Sequence, residues 1–202
     1  MVSITSPRPQ VALKESYSLW FVPKGSLAAH LHREIVDTSR KTEAPEFFPH
    51  VTLLGGIAQP KEQVLTIAEQ IASSLKPIQI EFDKVTYGNI YHQCVYILCK
   101  ASEDLSRAGR AAKEAFNLDP STPYMPHLSL IYSDMSSSDR QALAAELQQK
   151  LFSSTSRESG DDSDGKKFEE NGFLADSLAV WYTPAEDKSL ESWRAVSVFP
   201  LQ

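Results

Sequence analysis

Two segments of the chain pair a histidine with a hydroxyl residue in the same frame: Pro49 to Leu54 reads PHVTLL, and Pro126 to Ile131 reads PHLSLI. In an extended strand side chains alternate between faces, so His50 and Thr52 would share one face, as would His127 and Ser129. Val51, Leu53, Leu128 and Leu130 would turn the other way, onto an apolar underside. Two such strands facing each other would gather two imidazoles and two hydroxyls in one cleft. An imidazole titrates near pH 6.5, so one can take a proton from an attacking group while the other gives one to a leaving oxygen. The hydroxyls can donate to non-bridging phosphate oxygens, which suits displacement at a phosphate ester. A single His-x-Thr is common in half-buried sheets and carries little weight. The repeated six-residue frame carries much more.

Other chemistry finds less support. No carboxylate cluster or His/Cys array with ligand spacing accompanies the four residues, so neither a metal nor another cofactor is expected. Nothing marks a nucleophile elbow or a carboxylate behind either histidine. His30 and His32, two apart on an expected helix, diverge and read as solvated. Cys94 and Cys99, five apart on a strand, would point to opposite faces and lie too far apart to bridge; they read as packing residues of a reducing compartment. Trp20 and Trp181 could stack on a base, though core packing suits each better. The formal net charge of −6 argues against a long nucleic acid or an anionic membrane as partner and leaves room for a small anionic ligand. No apolar run approaches the roughly 20 residues of a membrane span, and the N-terminus lacks a secretory core. The expectation is a soluble, cytoplasmic monomer acting on a small anionic ligand.

The positioning elements come in two copies. Tyr17 begins a strand-like run, YSLWFV, as far before His50 as Cys94, which begins CVYILC, stands before His127. Pro49 and Pro126 suit the first position of a strand. In the first copy Ser26 would cap a helix with Leu27, Leu31 and Ile35 on one face, and a second helix would span 61–75 before a strand over 78–86. In the second copy Ser102 would cap a helix with Leu105, Ala108, Ala112 and Phe116, and Ser136 to Ser138 would cap one with Leu143, Leu147 and Leu151. Residues 1–15 read as a loose arm. Residues 153–171, with Phe168 as their one apolar side chain, read as a flexible insertion that delays the next strand, FLADSLAVWYT from Phe173; WRAVSVF closes the chain. These elements predict a single α+β domain over 1–202, duplicated and bilobal, with two antiparallel sheets facing a central groove and helices packed outside.

The paired PHVTLL and PHLSLI frames resemble the two H-x-[ST]-x signatures of the 2H phosphoesterase superfamily. Within it, SLWFVP near the N-terminus and HLSLIY in the second motif resemble the eukaryotic cyclic nucleotide phosphodiesterases of the CPDase family. The resemblance implies metal-independent opening of ADP-ribose 1″,2″-cyclic phosphate to ADP-ribose 1″-phosphate, downstream of tRNA splicing, and of nucleoside 2′,3′-cyclic phosphates to 2′-phosphates. It implies His50 and His127 as the acid–base pair, Thr52 and Ser129 as phosphate ligands, and Tyr132 beside the site. Strict alternation puts Tyr132 on the wrong face, so it reaches the groove only if its strand has ended or bulged. The alternatives are an enzyme acting on RNA termini or a non-catalytic nucleotide-binding module of the same fold. A binder would not need all four groups.

Overall fold

In the computed structural model, residues 15–152 and 171–202 are described. The arm expected over residues 1–15 and the insertion expected over 153–171 lie outside them but for Glu15 and Asn171. Among the described residues eight strands and four helices follow one another: β1 (Tyr17–Phe21), α1 (Gly25–Thr42), β2 (Val51–Ile57), α2 (Lys61–Ser74), β3 (Ile78–Tyr87), β4 (Val95–Cys99), α3 (Glu103–Ala115), β5 (His127–Ile131), α4 (Ser137–Phe152), β6 (Gly172–Ala175), β7 (Ser177–Tyr182) and β8 (Arg194–Pro200). A one-turn 3-10 helix at Tyr91–Gln93 precedes β4.

The strands form one antiparallel sheet in the order β6-β3-β4-β5-β2-β1-β7-β8. Its two four-stranded halves meet where β2 pairs with β5 through Val51 and Leu128. The two sheets expected from the sequence are therefore two halves of one sheet. Their composition also differs from one copy per half. β3, at the end of the first copy, pairs with β4 of the second, while β7 pairs with β1 of the first. The run FLADSLAVWYT is two strands rather than one: β6 extends the β3 edge, and β7 continues the other half. The break falls at Asp176, whose carboxylate accepts from Lys24 and from the Ser177 hydroxyl.

The helices pack on one side, and the apolar faces of both halves form one continuous core. α1 lies against β5 and α3 against β2, each under the other copy's motif strand. The stripe Leu27, Leu31 and Ile35 is buried on α1, and Leu105, Ala108 and Ala112 on α3. Ser102 caps α3 as expected, its hydroxyl accepting from the Leu105 N–H at 3.2 Å, and Ser136 does the same for the Asp139 N–H of α4. Ser26 does not cap α1, which begins one residue earlier at Gly25. Cys94 and Cys99 are both free thiols buried in the core. Among the described residues no helix is long and apolar enough to cross a membrane.

Candidate active site

The β2–β5 register decides what faces what. With Val51 opposite Leu128 in an antiparallel pair, His50 stands across from Ser129 and Thr52 across from His127. Each imidazole is thus set against the hydroxyl of the other motif. All four, with Tyr132, line one cavity of about 260 Å³.

Both motif strands carry a bulge at the same place. Trp20 pairs with Thr52 but Leu19 with Leu54, so Leu53 is an extra residue in β2; Tyr96 pairs with Ser129 but Val95 with Ile131, so Leu130 is extra in β5. A bulge resets alternation. Leu53 and Leu54 are both buried, as are Leu130 and Ile131, and the next residue of each motif, Gly55 or Tyr132, turns to the cavity. Tyr132 also lies just past the end of β5. These two effects bring it onto the face of His127 and Ser129.

The ring nitrogens are fixed by a repeated device. His50 Nδ1 lies 2.6 Å from the Phe48 carbonyl oxygen, and His127 Nδ1 lies 2.9 Å from that of Met125. A carbonyl can only accept, so Nδ1 carries the proton in both rings, and each Nε2 keeps its lone pair when the ring is neutral. The intervening Pro49 and Pro126 bias the preceding residue to extended backbone, which presets the accepting carbonyl. Neither proline lies within its strand, which begins at Val51 or His127.

The electrostatics are unequal. His50 is 4% exposed and lies flat under Trp20, ring centroids 3.5 Å apart. Burial drives its pKa down to about 3, against the pull of the Phe48 carbonyl and with a further push from His127. His127 is half-buried, with Tyr96 edge-on at 5.0 Å; burial lowers its pKa too, and the Met125 carbonyl opposes this. The Tyr132 hydroxyl lies 3.4 Å from His50 Nε2, and burial raises its pKa, so it stays a donor. Ser129 donates to the His92 carbonyl at 3.0 Å, whereas the Thr52 hydroxyl has no partner among the described residues.

Several lining residues carry no signal in the sequence. His92, in the turn before β4, has its pKa lowered by burial and meets Tyr132 edge-on at 5.0 Å. Trp193 precedes β8, and Ser18 and Thr183 share a 2.7 Å hydrogen bond on the floor. Trp20 is buried as core packing would have it, yet it also forms the wall behind His50, with Trp181 stacked beyond it at 4.4 Å. His32 is not a solvated residue: it stacks on Phe48 at 5.0 Å. Arg140, buried on α4, donates to the carbonyls of Met135 and Gly88 and so ties the segment after Tyr132 to the end of β3. No Asp, Glu, Lys or Arg among the described residues lines the cavity. Nor do any three His, Cys, Asp or Glu among them cluster as metal ligands would.

Comparison with known proteins places this geometry. The chain is 29% identical over 185 residues to a cyclic phosphodiesterase of Arabidopsis thaliana, covering 92% of this chain and 94% of that protein. It is 29% identical over 199 residues to a 2′,3′-cyclic-nucleotide 3′-phosphodiesterase of Phaeosphaeria nodorum, covering 89% and 96%. Its fold matches E. coli LigT in complex with ATP, with a TM-score of 0.57 at 10% identity over 93% of this chain and 98% of that one. The α+β fold is therefore that of the 2H phosphoesterases. The model of the cyclic phosphodiesterase-like proteins matches residues 15–200, nearly everything described, and the chain belongs to that family.

Proposed function

We propose that this cavity opens nucleoside 2′,3′-cyclic phosphates to 2′-phosphates in the cytoplasm, with His50 and His127 as the acid–base pair. The observation that carries the proposal is the register, which sets each imidazole against the other motif's hydroxyl. Water attacks phosphorus, and the bond from phosphorus to the 3′-oxygen breaks. One Nε2 takes the proton that water loses, and the other supplies the proton that the 3′-oxygen gains. Thr52 donates to a non-bridging oxygen, and Ser129 does so once its hydroxyl rotates from the His92 carbonyl. Tyr132, held protonated, keeps the His50 lone pair oriented. The same steps would open ADP-ribose 1″,2″-cyclic phosphate to the 1″-phosphate, which would place the enzyme downstream of tRNA splicing.

The absence of Asp, Glu, Lys and Arg among the described lining residues suits this sequence of states. A cyclic diester carries one negative charge, while the product monoester gains a second ionisation near pH 6. Hydroxyls and a single protonated imidazole balance a monoanion and leave a dianion one charge in excess, which favours product release.

The test is incubation with 2′,3′-cyclic AMP, with and without EDTA, and separation of 2′-AMP from 3′-AMP. The expected result is 2′-AMP under both conditions from the wild type, with turnover lost from His50→Ala and His127→Ala. Formation of 3′-AMP, or undiminished turnover by both variants, would overturn the proposal.

A further inference from the structure

Beyond the wall formed by Trp20 and Trp193 lies a second cavity, of about 280 Å³, lined by these two indoles together with His32, Glu46, Phe48 and Trp181, among others. Trp20 and Trp193 line both cavities, so a ligand seated in one abuts the other. We infer that this aromatic cleft is a subsite for a second nucleobase, carried by a substrate longer than a cyclic mononucleotide. The inference rests on the proposed cyclic-phosphate activity and extends it.

Three features point to a base rather than to a simple apolar group. First, the rings form faces: Trp181 stacks on Trp20, His32 stacks on Phe48, and Phe48 stands tilted at 5.9 Å from Trp181. Phe48 is 54% exposed, so its ring is open to a ligand. Trp20 is covered by His50 on one side and Trp181 on the other, so the open face is that of Phe48, and such a face accepts any base because every base has a π-face. Second, the Trp193 indole N–H is buried with no hydrogen-bond partner among the described residues, a costly state that a ring nitrogen or carbonyl of a base would relieve. Third, Glu46 uses Oε1 to accept from Arg40 Nε at 3.0 Å, which leaves Oε2 to accept from an exocyclic amine. Stacking faces with one donor and one acceptor match adenine, cytosine or guanine.

The catalytic cavity holds no room for a second base if the phosphate, ribose and first base occupy it, since the cleft and the cavity each have the volume of one small ligand. The second base can reach the cleft through a 3′,5′-phosphodiester, as in a dinucleotide ending in a cyclic phosphate.

The experiment compares kcat/KM for two substrates: 2′,3′-cyclic AMP and the dinucleotide ApA ending in a 2′,3′-cyclic phosphate. Calorimetric binding of their ring-opened products runs in parallel. The dinucleotide is expected to exceed the mononucleotide about tenfold or more, in line with one stacked base. Phe48→Ala and His32→Ala should each bring that ratio back toward one; both side chains are off the motif strands, and Phe48→Ala keeps the carbonyl that holds His50. Equal kcat/KM and equal binding for both, or a preference that survives both substitutions, would overturn the subsite. If no substrate turns over, yet a two-base product binds about tenfold tighter than 2′-AMP and the substitutions remove the difference, the subsite stands and the proposed activity falls.

Discussion

His50 lies flat under the Trp20 indole and is almost wholly buried, whereas His127, at the matching place in the second motif, meets Tyr96 edge-on and stays half-buried. The frames PHVTLL and PHLSLI give both the same Nδ1 anchor, the same bulge and the same turn toward the cavity. What differs comes from neighbours outside the frames. Trp20 stands beside Thr52 on one side and Tyr96 beside Ser129 on the other; Gly55 leaves open the position that Tyr132 fills. Duplication therefore supplies the geometry, and the flanking strands divide the electrostatics. Such a difference suits a reaction that needs one proton donor and one acceptor.

The largest expected effect tests whether both halves are needed. His50→Ala and His127→Ala should each cost about 10²–10⁴-fold in kcat on 2′,3′-cyclic AMP, and the double variant far less than the product of the two losses. Full multiplication would mean that the halves act independently.

The hydroxyls should break the symmetry next. The Thr52 hydroxyl has no partner among the described residues and is ready to donate, so Thr52→Ala should cost about 10²-fold. Ser129 must first leave the His92 carbonyl, so Ser129→Ala should cost only about tenfold, with KM rising as the Tyr91–Gln93 turn loosens. A larger loss from Ser129 than from Thr52, in the same steady-state assay, would reverse the comparison.

Tyr132→Phe removes one long hydrogen bond to His50 and should lower kcat by about 2- to 10-fold. Burial depresses the imidazoles of both His50 and His127, so with these two as the proposed acid–base pair the kcat/KM optimum of the free enzyme should fall below pH 6.5. A bound phosphate anion favours the protonated ring, so the kcat optimum should lie higher. Coincident optima at or above neutrality would show that burial does not set the protonation.

The smallest effect is on stability. His50 binds a proton near pH 6.5 when unfolded and near 3 when folded. Its contribution is complete above 6.5 and is lost progressively as pH falls toward 3. His50→Phe, which keeps an aromatic ring under Trp20, should therefore flatten the fall in Tm between pH 6.5 and 4. An unchanged slope would put the acid sensitivity elsewhere.

The sequence shows the tetrad because a paired frame is improbable by chance and its spacing from the preceding strand repeats. Alternation alone predicts the apolar undersides correctly but misses the bulges. In hindsight their signal is two successive aliphatics, Leu53-Leu54 and Leu130-Ile131, which cannot both be buried on a regular half-exposed strand. His92 and Trp193 escape notice because no local period marks them. His92 reaches the cavity on a one-turn helix fixed by Ser129, and Trp193 sits on the approach to β8. The break at Asp176 is also hidden, since neither Gly nor Pro marks it and the two strands are separated by partners distant in sequence.

The crossing of β3 and β7 into opposite halves has a consequence for how such a protein can be taken apart. Each half borrows a central strand from the other copy, β3 beside β4 and β7 beside β1. A fragment ending after the first copy would carry β1 and β2 without β7, and β3 without β4, exposing unpaired edges on both. The repeat is thus visible in the sequence but interlocked in space. Each motif's scaffold is complete only after the last part of the chain has been made.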